Sequence, residues 1–461
     1  MNALHLQLED LKKAYQHDAN PSYEVRKERI LRVVQMIDRY EDNLCKVVQA
    51  DFGYRHPVET RLAELNMVRQ AAKHTIKHLR EWMRPQLAEV PWHLRPSRAW
   101  TQAQAKGVVG IVSPWNYPIQ LALVPAIAAL AAGNRVWLKP SERSPRTSGY
   151  LATLITEFFH PLEFSVTTGD AQVARDFVSL PFDHLFFTGS TAVGKMVMRA
   201  AADHLTPVTL ELGGKSPAMI ASDADIEDAA RRIAYGKLLN NGQTCIAPDY
   251  VLLQSAQKEH FLKALHTAVR ELYGKTELTQ AIDARQQERW EQLTQEAVSK
   301  GAQRHELLDP LATGFTPCAL TQVPHNSLIM QEEIFGPILP IIEVADSAAA
   351  IEYVQNHERP LALYWFGKNK KQLQTVLEQT HSGGVAINDT LLHITVENLP
   401  FGGIGPSGMG AYHGKSGFDT FSHQKSVLHV KGYLGIKAWM GTRLAHPPYG
   451  KTVERLIRWL S

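Results

Sequence analysis

Cysteine is scarce in this chain: only Cys45, Cys245 and Cys318 occur among 461 residues. An odd number at such wide spacing argues against a disulfide framework and against a Cys-based zinc site. A reducing cytoplasm is the expected setting. Net charge is nearly absent too, since 49 basic and 46 acidic residues leave a formal +3. No field of one sign singles out nucleic acid as a partner. Long apolar runs are also missing. The longest, residues 121–132, is too short to cross a bilayer and reads as a buried helix. The beginning, Met1-Asn-Ala-Leu-His-Leu6, lacks a basic stretch leading into an apolar one, so no secretory signal is expected. No internal repeat and no low-complexity tract interrupts the chain.

What is present has the balance of an ordinary soluble protein, with 44% hydrophobic and 21% charged residues. The length exceeds what one core usually serves, so two or three domains are expected. Ile30, Val33, Val34 and Ile37 recur at helical spacing within residues 23–50, and a second such pattern runs over residues 59–82. After Pro85, Pro91 and Pro96 the character changes. Val108-Val-Gly-Ile-Val112, Arg135-Val-Trp-Leu138, Phe164-Ser-Val-Thr-Thr168, His184-Leu-Phe-Phe-Thr188 and Pro207-Val-Thr-Leu-Glu211 read as strands alternating with helical stretches. That alternation implies βαβ units and a parallel sheet covered by helices on both faces. Beyond Gly213 helical stretches (residues 226–239, 259–272 and 283–301) again alternate with strand-like runs at residues 249–253, 338–342 and 361–366. This predicts a second α/β domain.

Several segments invite a functional reading, each with a plainer alternative. Gly403-Ile-Gly405-Pro-Ser-Gly408 fits a dinucleotide-binding string, but Pro406, Gly410 and Gly414 deny it a following helix. A structural loop is the better reading, because the motif works at a helix N-terminus after a strand. Gly189-Ser-Thr-Ala-Val-Gly194-Lys195 sits between a strand and a helix but continues with Met196, so the hydroxyl that holds Mg²⁺ in a nucleoside triphosphatase is missing. An anion site on the helix N-terminus survives, beside the alternative of a plain strand-to-helix turn. His74 and His78 stand at i, i+4 without the Glu of a zinc protease and read as solvated helix residues. Cys245 lies in Asn240-Asn-Gly-Gln-Thr-Cys-Ile-Ala-Pro248, a polar loop after an apolar helix. That setting suits a nucleophile better than a packing residue, although a lone Cys is usually inert. Glu211 ends an apolar strand and precedes Gly213-Gly214, which suits a carboxylate entering a cleft, where partial burial would raise its pKa toward that of a base. A capping or salt-bridged Glu is the alternative.

Taken together, Pro114-Trp-Asn116-Tyr-Pro118, Lys139-Pro-Ser-Glu142, Phe187-Thr-Gly-Ser-Thr191, Glu211-Leu-Gly-Gly-Lys-Ser216, Gly242-Gln-Thr-Cys245, Glu333-Ile-Phe-Gly-Pro337 and Pro400-Phe-Gly-Gly403 resemble motifs of the aldehyde dehydrogenase superfamily. They occur in the family's order over nearly the whole chain. The short N-terminal region and the length look like the class 3 branch, and Cys245-Ile-Ala-Pro-Asp-Tyr250, Asn388-Asp-Thr-Leu-Leu-His393 and Pro447-Pro-Tyr-Gly450 look like its coniferyl-aldehyde group. Asn241 departs from the small residue that many relatives carry before the Gly.

The resemblance implies an α/β fold with a modified doubly wound cofactor domain (residues 1–85 and 107–209) and an α/β catalytic domain (210–392). It also implies a β oligomerisation flap with a return segment (86–106 and 393–435) and a tail (436–461). It implies an NAD-dependent enzyme, with NADP as the other candidate cofactor, no metal and a homodimer. Cys245 is implied as nucleophile, Glu211 as general base and Asn116 as oxyanion donor. Trp115, Lys139, Glu142, Gly189, Ser190, Gly194, Glu333 and Phe335 are implied as cofactor-binding. Coniferyl or a related aromatic aldehyde is the expected substrate, with Tyr117, Tyr235, Leu239 and Ile246 as walls of an apolar tunnel, or else as core packing. A medium- or long-chain aliphatic aldehyde is the other substrate reading. A cysteine hydrolase or acyltransferase would need a His base and leaves Lys139-Pro-Ser-Glu142 unexplained. A catalytically silent binding protein has no reason to carry Asn116, Glu211 and Cys245 together. Lys437, Arg443, Lys451, Arg455 and Arg458, beside Leu456, Ile457, Trp459 and Leu460, would let the tail touch an anionic membrane, though packing against the body or a partner subunit is the preferred reading.

Overall fold

The structure, a computed structural model, describes residues 3–91, 94–311, 314–430, 447 and 450–460. Lys437 and Arg443 lie outside the described residues, as do the side chains of Leu456, Ile457, Trp459 and Leu460. Three sheets organise the rest. The first has six strands in the order Gly408–Met409, Val208–Leu212, His184–Gly189, Val108–Val112, Arg135–Lys139 and Phe164–Val166, all parallel except Gly408–Met409. Its five parallel strands run outward in both directions from Val108–Val112, which is the doubly wound arrangement. Each strand is apolar on both faces because helices cover both, as a parallel sheet requires. One of those helices is Gln120–Ala132, buried along its whole length. The apolar run at 121–132 is therefore an internal helix. Among the described residues no helix is long and apolar enough to cross a membrane.

The second sheet has seven strands in the order Gln303–Glu306, Cys318–Thr321, Ile338–Val344, Tyr250–Gln254, Pro217–Ile220, Ala362–Phe366 and Gly384–Ile387. Only Gln303–Glu306 runs antiparallel. A third, antiparallel sheet joins Gln86–Ala88, Arg98–Ala105 and Ser422–His429, so segments far apart in sequence close one arm of the molecule. The chain division expected at 209/210 cuts through Val208–Leu212. The strand that carries Glu211 belongs to the first sheet, and the second begins only at Pro217. The helical pattern expected over residues 23–50 is two helices, Tyr23–Arg39 and Glu41–Phe52, broken at Tyr40.

Asn134 ties the first and third sheets together. Its Oδ1 accepts from the Gly107 N–H at 3.0 Å, and its Nδ2 donates to the Ala129 carbonyl at 3.0 Å and the Phe421 carbonyl at 2.9 Å. All of this is buried, so removing the amide strips all three backbone groups of a partner; the Ala129 carbonyl keeps the Asn134 backbone N–H at 3.0 Å, while the Gly107 N–H and the Phe421 carbonyl lose a bond that water does not replace. Asn134→Ala is expected to lose about 2 to 4 kcal/mol of stability. Urea unfolding followed by tryptophan fluorescence checks this, and an unchanged midpoint would show that the three groups find other partners.

Candidate active site

In a doubly wound sheet ligands sit at the carboxyl ends of the strands where the order reverses. Here that point lies between Val108–Val112 and His184–Gly189. The chain leaving the first strand supplies Pro114, Trp115 and Asn116, and the chain leaving the second supplies Gly189, Ser190 and Thr191, all lining one cavity of about 470 Å³. The opposite wall comes from the second sheet. Segments just before the amino ends of its strands contribute Gly213, Cys245, Glu333, Phe335 and Leu361 to the same cavity. The site is thus a seam where carboxyl ends of one sheet face amino ends of the other.

A second cavity of about 570 Å³ opens on the far side of Cys245. Tyr117, Tyr235, Leu239 and Ile246, the four residues read from the sequence as tunnel walls, all line it, with Leu121 and Phe401. Cys245, Leu121 and Phe401 are common to both cavities. The Tyr117 hydroxyl hydrogen-bonds the Thr244 hydroxyl at 2.7 Å, which fixes this wall to the nucleophile loop.

The loop takes its shape from an unusual run of backbone. Asn240 (φ 52°), Asn241 (φ 52°) and Gly242 (φ 76°) are all left-handed. Asn and Gly are the residues that adopt this conformation at least cost. Asn241 therefore suits its position, and the departure noted in the sequence has a conformational reason. Gln243 anchors the run from below: its Nε2 donates to the Asn240 and Gln280 carbonyls, each at 3.0 Å, and its Oε1 accepts from the Ile282 N–H at 3.0 Å. Asn116 is buried and its Nδ2 donates to the Gln243 carbonyl at 3.1 Å. One amide hydrogen is thereby engaged, and Asn116 lines the same cavity as Cys245.

Burial dominates the electrostatics. Cys245 keeps some accessible surface where the cavities meet, yet it lies deep enough that burial, then the charges of Glu333 and Glu211, push its thiol up to about 12. Burial holds Glu211 well above the usual carboxylate range, and among the described residues neither of its oxygens has a hydrogen-bond partner. The expected partial burial is in fact nearly complete, with 3% of the residue exposed. Glu333 is raised to about 8 by burial and by Asp249, against the Gly214 N–H that it accepts from. Gly213 lets Glu333 come close, since a Cβ there would collide with its carboxylate.

Ser190 caps the helix Thr191–Ala202, its Oγ accepting from the Val193 N–H at 3.4 Å, and Thr191 and Ala192 at the helix start face the cavity. The plain-turn alternative is thus a true helix N-terminus on a cleft. Trp115 meets Phe335 edge-on at 5.4 Å between ring centroids. Three residues expected at the cofactor lie off this cavity. Gly194 packs against Leu212, where a Cβ would stand 2.5 Å from Cδ2. Lys139 is buried and donates to the Pro140 carbonyl at 2.9 Å and to Glu142 at 3.2 Å, at the end of the strand beside Val108–Val112. The loop 403–408 is structural, as expected: Gly408 pairs with Glu211, and the Ser407 carbonyl accepts from the Leu212 N–H at 3.1 Å. His74 and His78 are half-buried rather than freely solvated, the His78 side chain being 30% exposed. Their rings lie 4.6 Å apart in a stack that continues to Trp82, which packs on Phe418, and His74 lines the apolar cavity. The helix turns that face inward. Among the described residues no cluster of His, Cys, Asp or Glu has the grouping of a metal site.

Sequence reasoning missed Arg143, Gln286, Arg289 and Tyr412 on the polar cavity. Phe401 carried a signal, since it sits in a quoted motif, but no role was attached to it.

A family model described as the aldehyde dehydrogenase family matches residues 6–427, and the chain belongs to that family. It is 43% identical over 430 residues to a probable coniferyl aldehyde dehydrogenase of Pseudomonas aeruginosa, covering 92% of this chain and 88% of that protein. Among solved structures it is similar to the substrate-bound state of Staphylococcus aureus AldH, with a TM-score of 0.92, 34% identity and 100% of both chains covered. It is also similar to betaine aldehyde dehydrogenase from Staphylococcus aureus in complex with NAD⁺, with a TM-score of 0.85, 25% identity, and 94% and 88% coverage. The fold is that of the aldehyde dehydrogenases.

A thiol held near 12 is protonated at neutral pH and reacts slowly unless a base takes its proton. Alkylation of Cys245 by iodoacetamide in the free enzyme is expected to climb by about tenfold per pH unit up to at least about pH 10. Mass spectrometry of the modified peptide checks this, and a plateau below about pH 9 would show that burial does not hold the thiol up.

Proposed function

We propose that this aldehyde dehydrogenase oxidises a planar aromatic aldehyde such as coniferyl aldehyde to its acid with NAD⁺, through a thioester on Cys245. The observation that carries the reading is that Cys245 stands where two cavities meet, one lined by Asn116, Glu211 and Glu333 and the other walled beside the thiol by Tyr117, Tyr235, Leu239 and Ile246. The apolar cavity would hold the aldehyde's ring between Tyr117, Tyr235, Leu239 and Ile246. Such contacts contribute on the order of 0.5 to 1.5 kcal/mol each for a planar substrate and little for a two-carbon one. The similarity to a probable coniferyl aldehyde dehydrogenase supports the same choice.

The polar cavity suits a dinucleotide: a capped helix N-terminus opens on it, and Glu333 Oε1 is buried there without a partner among the described residues. Ser190, Gly189, Trp115, Glu333 and Phe335 would hold the cofactor, with Lys139 and Glu142 beyond them at the sheet's edge. Gly194 would serve by letting the capped helix pack closely. When bound, the cofactor supplies the hydride acceptor. The similarity to an NAD⁺ complex and the carboxylate of Glu142, which would repel a 2′-phosphate, favour NAD⁺, with NADP⁺ tolerated because Lys139 lies beside it.

In this reading Glu211 takes the thiol proton, and the Cys245 sulfur adds to the aldehyde carbon, placing negative charge on oxygen. The free Nδ2–H of Asn116 and the Cys245 backbone N–H receive that oxyanion. Loss of hydride leaves a thioester, and Glu211, once it has passed the thiol's proton on to solvent and is a carboxylate again, removes a proton from the water that attacks the thioester. Its burial keeps its proton affinity high enough for both transfers. No step requires a metal.

Among the described residues the outer edge of Ser422–His429 is unpaired, and with exposed Leu428 and Val430 this supports a homodimer formed through the third sheet. Three free cysteines suit a cytoplasmic setting. The division into cofactor, catalytic and flap units would follow the three sheets. The tail would pack on the body or a partner rather than a membrane.

Cys245→Ala is expected to abolish NADH formation while NAD⁺ binding, followed by fluorescence quenching, persists. Glu211→Gln is expected to slow turnover by about 10²-fold or more. If its first turnover alone stays fast, giving a burst of NADH, Glu211 serves hydrolysis; if the burst vanishes, it serves the thiol as well; unchanged turnover overturns the assignment. For substrate, kcat/KM should fall in the order coniferyl aldehyde, octanal, acetaldehyde. A lead for octanal overturns the aromatic choice, and a lead for acetaldehyde overturns the tunnel.

A further inference from the structure

We infer that Arg55, paired with Glu64, is a positioning residue that sets the aim of the Asn116 amide. The inference rests on the reading of Asn116 as oxyanion donor. Arg55 and Glu64 are both fully buried and form an ion pair at 2.9 Å. The pair grips the active-site segment at two points. Arg55 Nη1 also donates to the Asn116 carbonyl at 3.3 Å, while Glu64 Oε2 accepts from the backbone N–H groups of Ile119 at 2.7 Å and Gln120 at 3.2 Å. The ring of Tyr117, between these points, lies 4.9 Å beneath the guanidinium.

The same arginine reaches the nucleophile loop. Its Nε is 3.6 Å from Glu59, whose carboxylate accepts from the Asn240 N–H at 2.7 Å. Asn240 Nδ2 closes the circuit, donating to the Asn116 carbonyl at 2.9 Å and to the Gln243 carbonyl at 3.1 Å, the same carbonyl that receives Asn116 Nδ2. One buried cation thereby links the two segments whose separation decides whether an amide hydrogen meets an oxyanion formed at Cys245. Glu64 reaches this place because residues Arg61–Leu65 form a π-helical turn, whose extra residue shifts the register of the helix that follows. Arg55 lines neither cavity and is not expected to touch substrate or cofactor.

A residue acting this way is costly to replace by a lysine. Both bonds come from the two hydrogens of one nitrogen, Nη1, whose directions the planar guanidinium fixes, whereas the ammonium keeps the charge beside Glu64 but ends a different stem and turns freely. The test is a double-mutant cycle of Arg55→Lys with Asn116→Ala, read in the pre-steady-state burst rate of NADH and in NAD⁺ affinity. In the wild-type background Arg55→Lys is expected to lower the burst rate by about tenfold, a part of the roughly 10²- to 10³-fold that losing an oxyanion donor costs, with NAD⁺ affinity changed less than about twofold. In the Asn116→Ala background the same change should cost less than about twofold. Full additivity of the two losses would overturn the inference, as would a wild-type burst rate in Arg55→Lys. If Asn116→Ala itself leaves the burst rate intact, it is the oxyanion reading that fails. Should Arg55→Lys not fold, Asn240→Ala removes the other donor to the Asn116 carbonyl and must show the same lack of additivity with Asn116→Ala.

Discussion

Three ionisable groups, Cys245, Glu211 and Glu333, share one poorly hydrated cavity, and burial raises the proton affinity of all three. Charge on one makes charge on the others harder, so the three do not ionise together. The constraint bears most on Glu211: Arg143 and Arg289 line the same cavity, yet among the described residues neither hydrogen-bonds its carboxylate. A cation against Glu211 would lower its proton affinity and spoil it as a base. Instead its carboxylate has no hydrogen-bond partner among the described residues and is fixed by its strand, through the pairing of residue 211 with Gly408.

Holding such groups in place requires rigid backbone, and the protein provides it by opposing two sheets end to end. The carboxyl ends of the first sheet contribute the Asn116 and Ser190 segments, and the amino ends of the second contribute Cys245 and Glu333. Between them the polypeptide must turn sharply. It does so through three left-handed residues, Asn240 to Gly242, while Gly213 and Gly214 carry the chain from Val208–Leu212 to Pro217–Ile220. Left-handed backbone at non-glycine positions costs of order 1 kcal/mol or more each unless neighbours fix it. The buried hydrogen bonds of Gln243 and Asn240 are those neighbours.

Much of this was legible in the sequence, for identifiable reasons. The alternation of apolar strands and helices gave the first sheet almost strand for strand, because a parallel sheet buried on both faces leaves continuous apolar runs. The tunnel residues Tyr117, Tyr235, Leu239 and Ile246 were readable from their nearness in sequence to Asn116 and Cys245. Arg55 was not readable. It lies in Gly53-Tyr-Arg-His-Pro57, a stretch that looks like solvated loop, and only long-range packing against residues 116–120 buries it. His74 and His78 were misread for the same reason, since charged neighbours suggested an exposed face while Trp82 and Phe418 draw it inward. Gly194 fitted an anion motif, but its lack of a side chain answers to Leu212 behind the helix. Periodicity reports local burial; partners distant in sequence leave no local mark.

The two cavities divide the labour of the reaction along a line through one sulfur atom. Glu211 lines only the polar cavity, whereas Tyr235, Leu239 and Ile246 line only the apolar one. On the proposed mechanism, proton transfer and hydrolysis would belong to the side of Glu211 and Asn116, and the side of Tyr235, Leu239 and Ile246 would hold the rest of the substrate. This separation lets the apolar walls change with substrate while the proton-handling groups stay fixed. Thr244 stands at the boundary, with its hydroxyl on Tyr117 and its backbone next to the nucleophile. Losing the Tyr117 hydroxyl would remove that hydrogen bond and free the side chain of Thr244, the residue before Cys245.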